Sequence, residues 1–127
     1  MIPQETQVKV RYTLENLEDN AAQVSFAPEM NFAFSFFEEK NAVDLKRARE
    51  WSFCDEPFGL EVKVQLSEDA RMWVFPVQTV SLSEAGFEKT YQGTTVTPVF
   101  ALTLPARGSH ELTIIIKLRK PHQKQHD

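Results

Sequence analysis

From Gln7 the chain alternates, with Val8, Val10, Tyr12 and Leu14 on one side and Gln7, Lys9, Arg11 and Thr13 on the other. A period of two marks a half-buried β-strand, because successive side chains leave a pleated backbone on opposite faces. Residues 15–20 are polar and rich in Asn, Asp and Glu, whose short side chains bond nearby backbone, so they predict a turn and a hairpin. The next row is the most one-sided. Ala22, Val24, Phe26, Pro28, Met30, Phe32, Phe34 and Phe36 occupy even positions, against Gln23, Ser25, Glu29, Asn31 and Ser35 on odd ones. Proline cannot donate to a sheet ladder, so this row predicts a long strand broken near Pro28. Each buried Phe contributes ~1.5–3 kcal/mol, enough for the row to anchor a core.

From residue 38 to 50 the alternation fades and charge dominates, which predicts a loop in which Asn41 caps a helical turn through Val43, Leu45, Lys46 and Ala48. Alternation returns at Leu60, Val62, Val64 and Leu66, and Ser67, Glu68 and Asp69 read as the turn that ends it. Residues 71–77 are apolar on both faces, Met72 and Val74 opposite Trp73, Phe75 and Val77, the pattern of a central strand covered on each side. A polar loop is expected over residues 83–92. Val96, Pro98, Phe100, Leu102 and Leu104 then alternate, residues 105–109 make a turn, and Leu112, Ile114, Ile116 and Leu118 form the last strand. Residues 121–127 read as a disordered tail. Roughly seven to nine short strands without a convincing long helix predict a single antiparallel β-sandwich domain over residues 6–120.

Composition narrows the partners. A chain of 127 residues suits one core, and 42% apolar with 25% charged residues excludes a disordered protein. A net charge of −4 supplies no global positive field, so neither nucleic acid nor membrane is expected as a partner. The basic runs Lys46, Arg47, Arg49 and Lys117, Arg119, Lys120 fit a solvated face or a strand edge. The single cysteine, Cys54, cannot form an internal disulfide, and its neighbour Asp55 disfavours a thiolate, so it reads as a packing residue. With neither a secretory signal at Met1 nor an apolar stretch of about 20 residues, a cytoplasmic location is expected.

Candidate chemistry is sparse. His110 lies beside a turn, His122 and His126 lie in the tail, and no Cys pair or carboxylate cluster completes a metal-ligand set, so no metal or cofactor is expected. Neither a Gly-x-Ser-x-Gly elbow nor a phosphate-cradling glycine loop is present. Among the carboxylates Glu29, Asp55, Glu56, Glu84 and Glu88, Glu29 stands out for its aromatic surroundings. Flat rings stack on sugar faces while polar neighbours bond hydroxyl groups, which makes Trp51, Trp73 and Tyr91 candidate platforms. Trp73, inside an apolar strand, reads as core. Trp51 and Tyr91, with Glu29, remain as the candidate carbohydrate-binding residues, and their rings fit packing equally well.

One run is more specific. Met72-Trp73-Val74-Phe75-Pro76-Val77-Gln78-Thr79-Val80-Ser81-Leu82-Ser83-Glu84, then Gly86-Phe87-Glu88 and Tyr91-Gln92-Gly93, resembles a signature of the C-terminal domain of glycoside hydrolase family 57 α-amylases and 4-α-glucanotransferases. Val10-Arg11-Tyr12-Thr13-Leu14-Glu15-Asn16-Leu17, Pro28-Glu29-Met30-Asn31-Phe32 and Asp55-Glu56-Pro57-Phe58-Gly59-Leu60 are similar to the same domain, in the same order. The resemblance implies a galactose-mutarotase-like supersandwich, here its later portion, that packs on a separate catalytic barrel and helps shape an α-glucan site. The catalytic carboxylates of the family lie on that barrel, and none is carried over to this chain. It also implies strand edges left open by the missing earlier portion, and through them a homodimer. Two other functions stay open: a carbohydrate-binding module for α-glucans, and a mutarotase-type enzyme with His110 as its acid.

Overall fold

A computed structural model describes residues 5–120, so the tail expected over 121–127 lies outside the described residues. The strands are β1 (Glu5–Glu15), β2 (Ala22–Phe26), β3 (Met30–Phe32), β4 (Val43–Asp55), β5 (Leu60–Ser83), β6 (Gly86–Leu104) and β7 (Ser109–Arg119), with one short 3-10 turn at Glu39–Asn41. Hydrogen-bonded neighbours run in the order β1-β7-β5-β6-β2, with β3 on β6 and β4 on β5. The fold is all-β and antiparallel, in keeping with the sandwich class. By its internal contacts the chain sorts into two compact units, to both of which β4, β5 and β6 contribute residues.

The first unit holds residues up to 22, residues 49–69 and residues from 104 on. β1 lies antiparallel to β7 from Glu5 opposite Arg119 to Glu15 opposite Ser109, and β7 pairs on its other side with the start of β5, Glu61 opposite Arg119 to Leu66 opposite Ile114. Val62, Val64 and Leu66 of β5 and Leu112 and Ile114 of β7 are buried, every second residue, as the alternation requires. The turn over residues 105–108 is laced to the loop after β1. Buried Asn16 donates through Nδ2 to the carbonyls of Asn20 (2.8 Å), Pro105 (3.0 Å) and Leu104 (3.3 Å), and its backbone N–H reaches the Gly108 carbonyl at 2.8 Å.

The second unit holds residues 23–48 and 70–103. The end of β5 pairs with β6 from Arg71 opposite Val99 to Ser83 opposite Gly86, with a bulge between Val77 and Gln78. β3 lies on β6, Met30 opposite Val96. Met72, Val74, Val96, Pro98 and Phe100 are fully buried, and the phenylalanine row adds stacked rings at Phe32 and Phe34 (5.7 Å) and at Phe34 and Phe37 (6.0 Å). The break expected at Pro28 falls between β2 and β3.

Four local expectations are corrected. Residues 43–50 form strand, not a helical turn: Asn41 ends the 3-10 turn instead of starting a helix, its Oδ1 accepting the Glu38 N–H at 3.1 Å. Ser67, Glu68 and Asp69 do not end a strand, because β5 runs unbroken for 24 residues. Each of the three finds a partner on a neighbouring strand: the Thr113 N–H donates to Ser67 Oγ at 2.9 Å, Glu68 holds His110, and Asp69 accepts from Arg49 at 3.0 Å. Cross-strand bonding thereby overrides the turn propensity of these residues. The polar loop over 83–92 is a hairpin, with only Glu84 and Ala85 between β5 and β6. Cys54 is exposed instead of packed.

Candidate functional site

The bulge at Val77 divides the second unit's part of β5 into two surfaces. Before it, even-numbered Met72 and Val74 are buried while odd-numbered Arg71, Trp73, Phe75 and Val77 are exposed, Trp73 by 39%. The two apolar faces read from the sequence therefore exist: that of Met72 and Val74 is buried, while Trp73, Phe75 and Val77 on the other are exposed. Trp73 is a surface residue where the pattern placed it in the core. Opposite these residues β6 carries Thr97, Thr95 and Gly93, small residues beside the two rings. Thr95 is buried, and its hydroxyl donates to Asn31 Oδ1 at 3.0 Å.

Arg71 and Asp44 border the Trp73 ring. Arg71 donates through Nε to Asp44 Oδ1 (2.9 Å) and through Nη2 to Oδ2 (2.8 Å), a bidentate pair. The same guanidinium lies 4.7 Å from the centre of the Trp73 ring, in cation–π geometry. The Arg71 hydrogen bonds hold the Asp44 carboxyl below the usual carboxylate value, against a desolvation that raises it. Arg71 is pushed up in turn, first by its bond to Asp44. The arrangement is an exposed ring bordered by a carboxylate and a guanidinium, with Phe75 next along the strand.

Beyond the bulge, residues 78–83 pair with residues 86–91 as a two-stranded arm. Its tip is apolar and open: Leu82 and Phe87 face each other across the strands and are 77% and 78% exposed, and Val80 is exposed beside them. Gly86 takes φ +119°, which side-chain-bearing residues rarely adopt, and the Ser83 hydroxyl closes the turn by donating to the Gly86 carbonyl at 3.0 Å.

The residues singled out by sequence fall elsewhere. Trp51, in the first unit, is only 8% exposed and stacks on Phe53 with ring centres 6.3 Å apart, so it offers little open face. Tyr91, in the second unit, is half-buried, and its hydroxyl accepts the Phe34 N–H at 3.2 Å and lies 2.7 Å from Thr94 Oγ1. Glu29 is exposed in the same unit, in the link between β2 and β3. His110 bonds both Glu68 oxygens through Nε2, at 2.9 and 3.1 Å. The first unit also carries a shallow groove of about 400 Å³ whose lining includes Lys9, Arg49, Gln65, Ser67 and Thr113 and no aromatic ring. Among the described residues no three His, Cys, Asp or Glu side chains gather to hold a metal ion, and no helix is long and apolar enough to cross a membrane.

The alternation around Trp73 reports an apolar face without saying whether anything covers it, so its exposure is not legible in the sequence. The Asp44–Arg71 pair left no local signal, since β4 and β5 bring together residues 27 positions apart.

Residues 1–114 match the family described as "Alpha-amylase/4-alpha-glucanotransferase, C-terminal". "Alpha-amylase 1" of Dictyoglomus thermophilum is 26% identical over 120 residues, covering 84% of this chain and 17% of the relative. The "4-alpha-glucanotransferase" of Thermococcus litoralis is 35% identical over 78 residues, 61% of this chain and 11% of the relative. The crystal structure of 4-alpha-glucanotransferase from Thermococcus litoralis superposes with a TM-score of 0.66 at 26% identity, over 88% of this chain and 16% of that one. The chain thus spans less than a fifth of the length of these relatives.

Proposed function

We propose that the chain, which belongs to the family of α-amylase/4-α-glucanotransferase C-terminal domains, is an accessory domain that docks on the catalytic part of an α-glucan-acting enzyme and catalyses nothing alone. The observation that carries this reading is the apolar arm. A two-stranded ribbon in water is marginally stable by itself, and an arm whose tip exposes Leu82 and Phe87 is accounted for by burial against a partner. That the relatives extend far beyond the matched region supports a partner of the same enzyme: the catalytic part, a barrel in the reading from resemblance. A cytoplasmic location belongs to the same proposal.

The test is to co-express the chain with the catalytic region of the α-glucan enzyme from the same source and follow both through size-exclusion chromatography. The expected result is co-elution that is lost in the double variant Leu82→Asp, Phe87→Asp. Independent elution of the unaltered chain contradicts the reading. Self-association is a second proposal, favoured by the position of β1: it ends the strand order and pairs with β7 alone among the described strands, and an open edge is a template for another copy.

A further inference from the structure

We infer that the exposed face of β5 before the bulge, Trp73 and Phe75 with Asp44 and Arg71 beside them, is a binding platform for an α-1,4-linked glucan chain. The choice of glucan rests on the reading above; the choice of a sugar rests on the site.

Glucose units present an apolar C–H face and a rim of hydroxyl groups that both donate and accept. A receptor for them needs flat apolar surface bordered by polar groups of both kinds. Trp73 and Phe75 supply the surface: residues two apart on a strand share a face and stand about 7 Å apart, so the rings form a strip along β5. Asp44 supplies acceptors and Arg71 supplies donors at the Trp73 end. Across β6 stand the small residues Thr97, Thr95 and Gly93, of which Thr95 is buried and bonded to Asn31.

The ion pair is the informative feature. An exposed pair contributes little to stability, so the bidentate geometry has a small effect on folding. Its larger effect is on the ring, since the guanidinium lies 4.7 Å from the ring centre. A ring already held in position loses less freedom when a ligand stacks on it. A dry protein interface is a poorer occupant, because covering Trp73 with protein would also desolvate Asp44 and Arg71, and charged residues are depleted at the centres of such interfaces.

The test is isothermal titration of the 127-residue chain with maltoheptaose, with the Trp73 indole N–H followed by NMR in the same samples. The expected result is saturable binding with a shift of the Trp73 resonance, weakened about tenfold or more in Trp73→Ala and in Phe75→Ala, and unchanged in Tyr91→Phe. Circular dichroism establishes that each variant is folded, and Phe75→Ala keeps the test decisive should Trp73→Ala unfold. No heat and no shift at millimolar sugar overturns the inference, as does binding that survives both alanine variants. Loss of the Trp73 signal only on adding the catalytic region overturns it too, by making this face a protein interface. Titrating the chain alone separates this outcome from the docking proposal, which the co-elution experiment judges.

Discussion

The hydroxyl of Tyr91 stands 2.7 Å from Oγ1 of Thr94, and the same oxygen accepts the Phe34 N–H at 3.2 Å. With the Phe32 carbonyl at 3.5 Å, it ties the chain after β3 to β6. Tyr91→Phe keeps the ring and strands these partners, so it is expected to cost about 1–2 kcal/mol in urea denaturation. A change within error in the denaturation midpoint contradicts this role.

Asp44 is expected to titrate below the ordinary 3.8, because the Arg71 bonds favour its charged form. A depressed folded-state value means that the contribution of the pair is fully present above the unfolded value and is lost as the pH falls through the lower, folded one. Carboxyl-carbon NMR reads the midpoint directly, and Arg71→Gln is expected to return it toward the ordinary value. Added salt weakens the effect, since both side chains are exposed.

The two N–H groups of the Asn16 amide lie within hydrogen-bond distance of three carbonyl oxygens, that of Leu104 the farthest at 3.3 Å. Asn16→Ala is expected to cost about 1–3 kcal/mol by leaving part-buried acceptors without donors. Asn16→Asp is expected to cost more at neutral pH, since it sets a carboxylate against those oxygens, and the excess should shrink as the solution is acidified. Thermal denaturation of the two variants at two pH values checks the order.

Light scattering across a concentration series addresses the edge of β1. The expected result is a mass that rises with concentration, and a strictly monomeric species throughout contradicts association along that edge.

Much of the fold was legible because its strands carry a buried face that alternates. β1, β2, β3, the buried rows of β5 and β6, and β7 follow from positions such as Val62, Val64, Leu112 and Ile114, and the turns at Asn16 and Pro105 follow from their residue types. β4 was not legible: most of residues 43–50 are exposed, and Lys46, Arg47, Arg49 and Glu50 mask a strand that exists because β5 pairs with it. The length of β5 was hidden for a similar reason, since Ser67, Glu68 and Asp69 are turn formers until Thr113, His110 and Arg49 bond them. At the site, the aromatic content was visible and the exposure was not. Trp51 is buried and Trp73 exposed because periodicity measures which residues share a face, and burial depends on what lies over that face.

The docking claim is tested most directly by hydrogen–deuterium exchange of the chain alone and together with its catalytic region, read at residues 78–91. Amides around Leu82 and Phe87 are expected to exchange more slowly in the complex, and the Leu82→Asp, Phe87→Asp variant is expected to show no such slowing. Unchanged exchange in the arm while the two parts remain bound would contradict it.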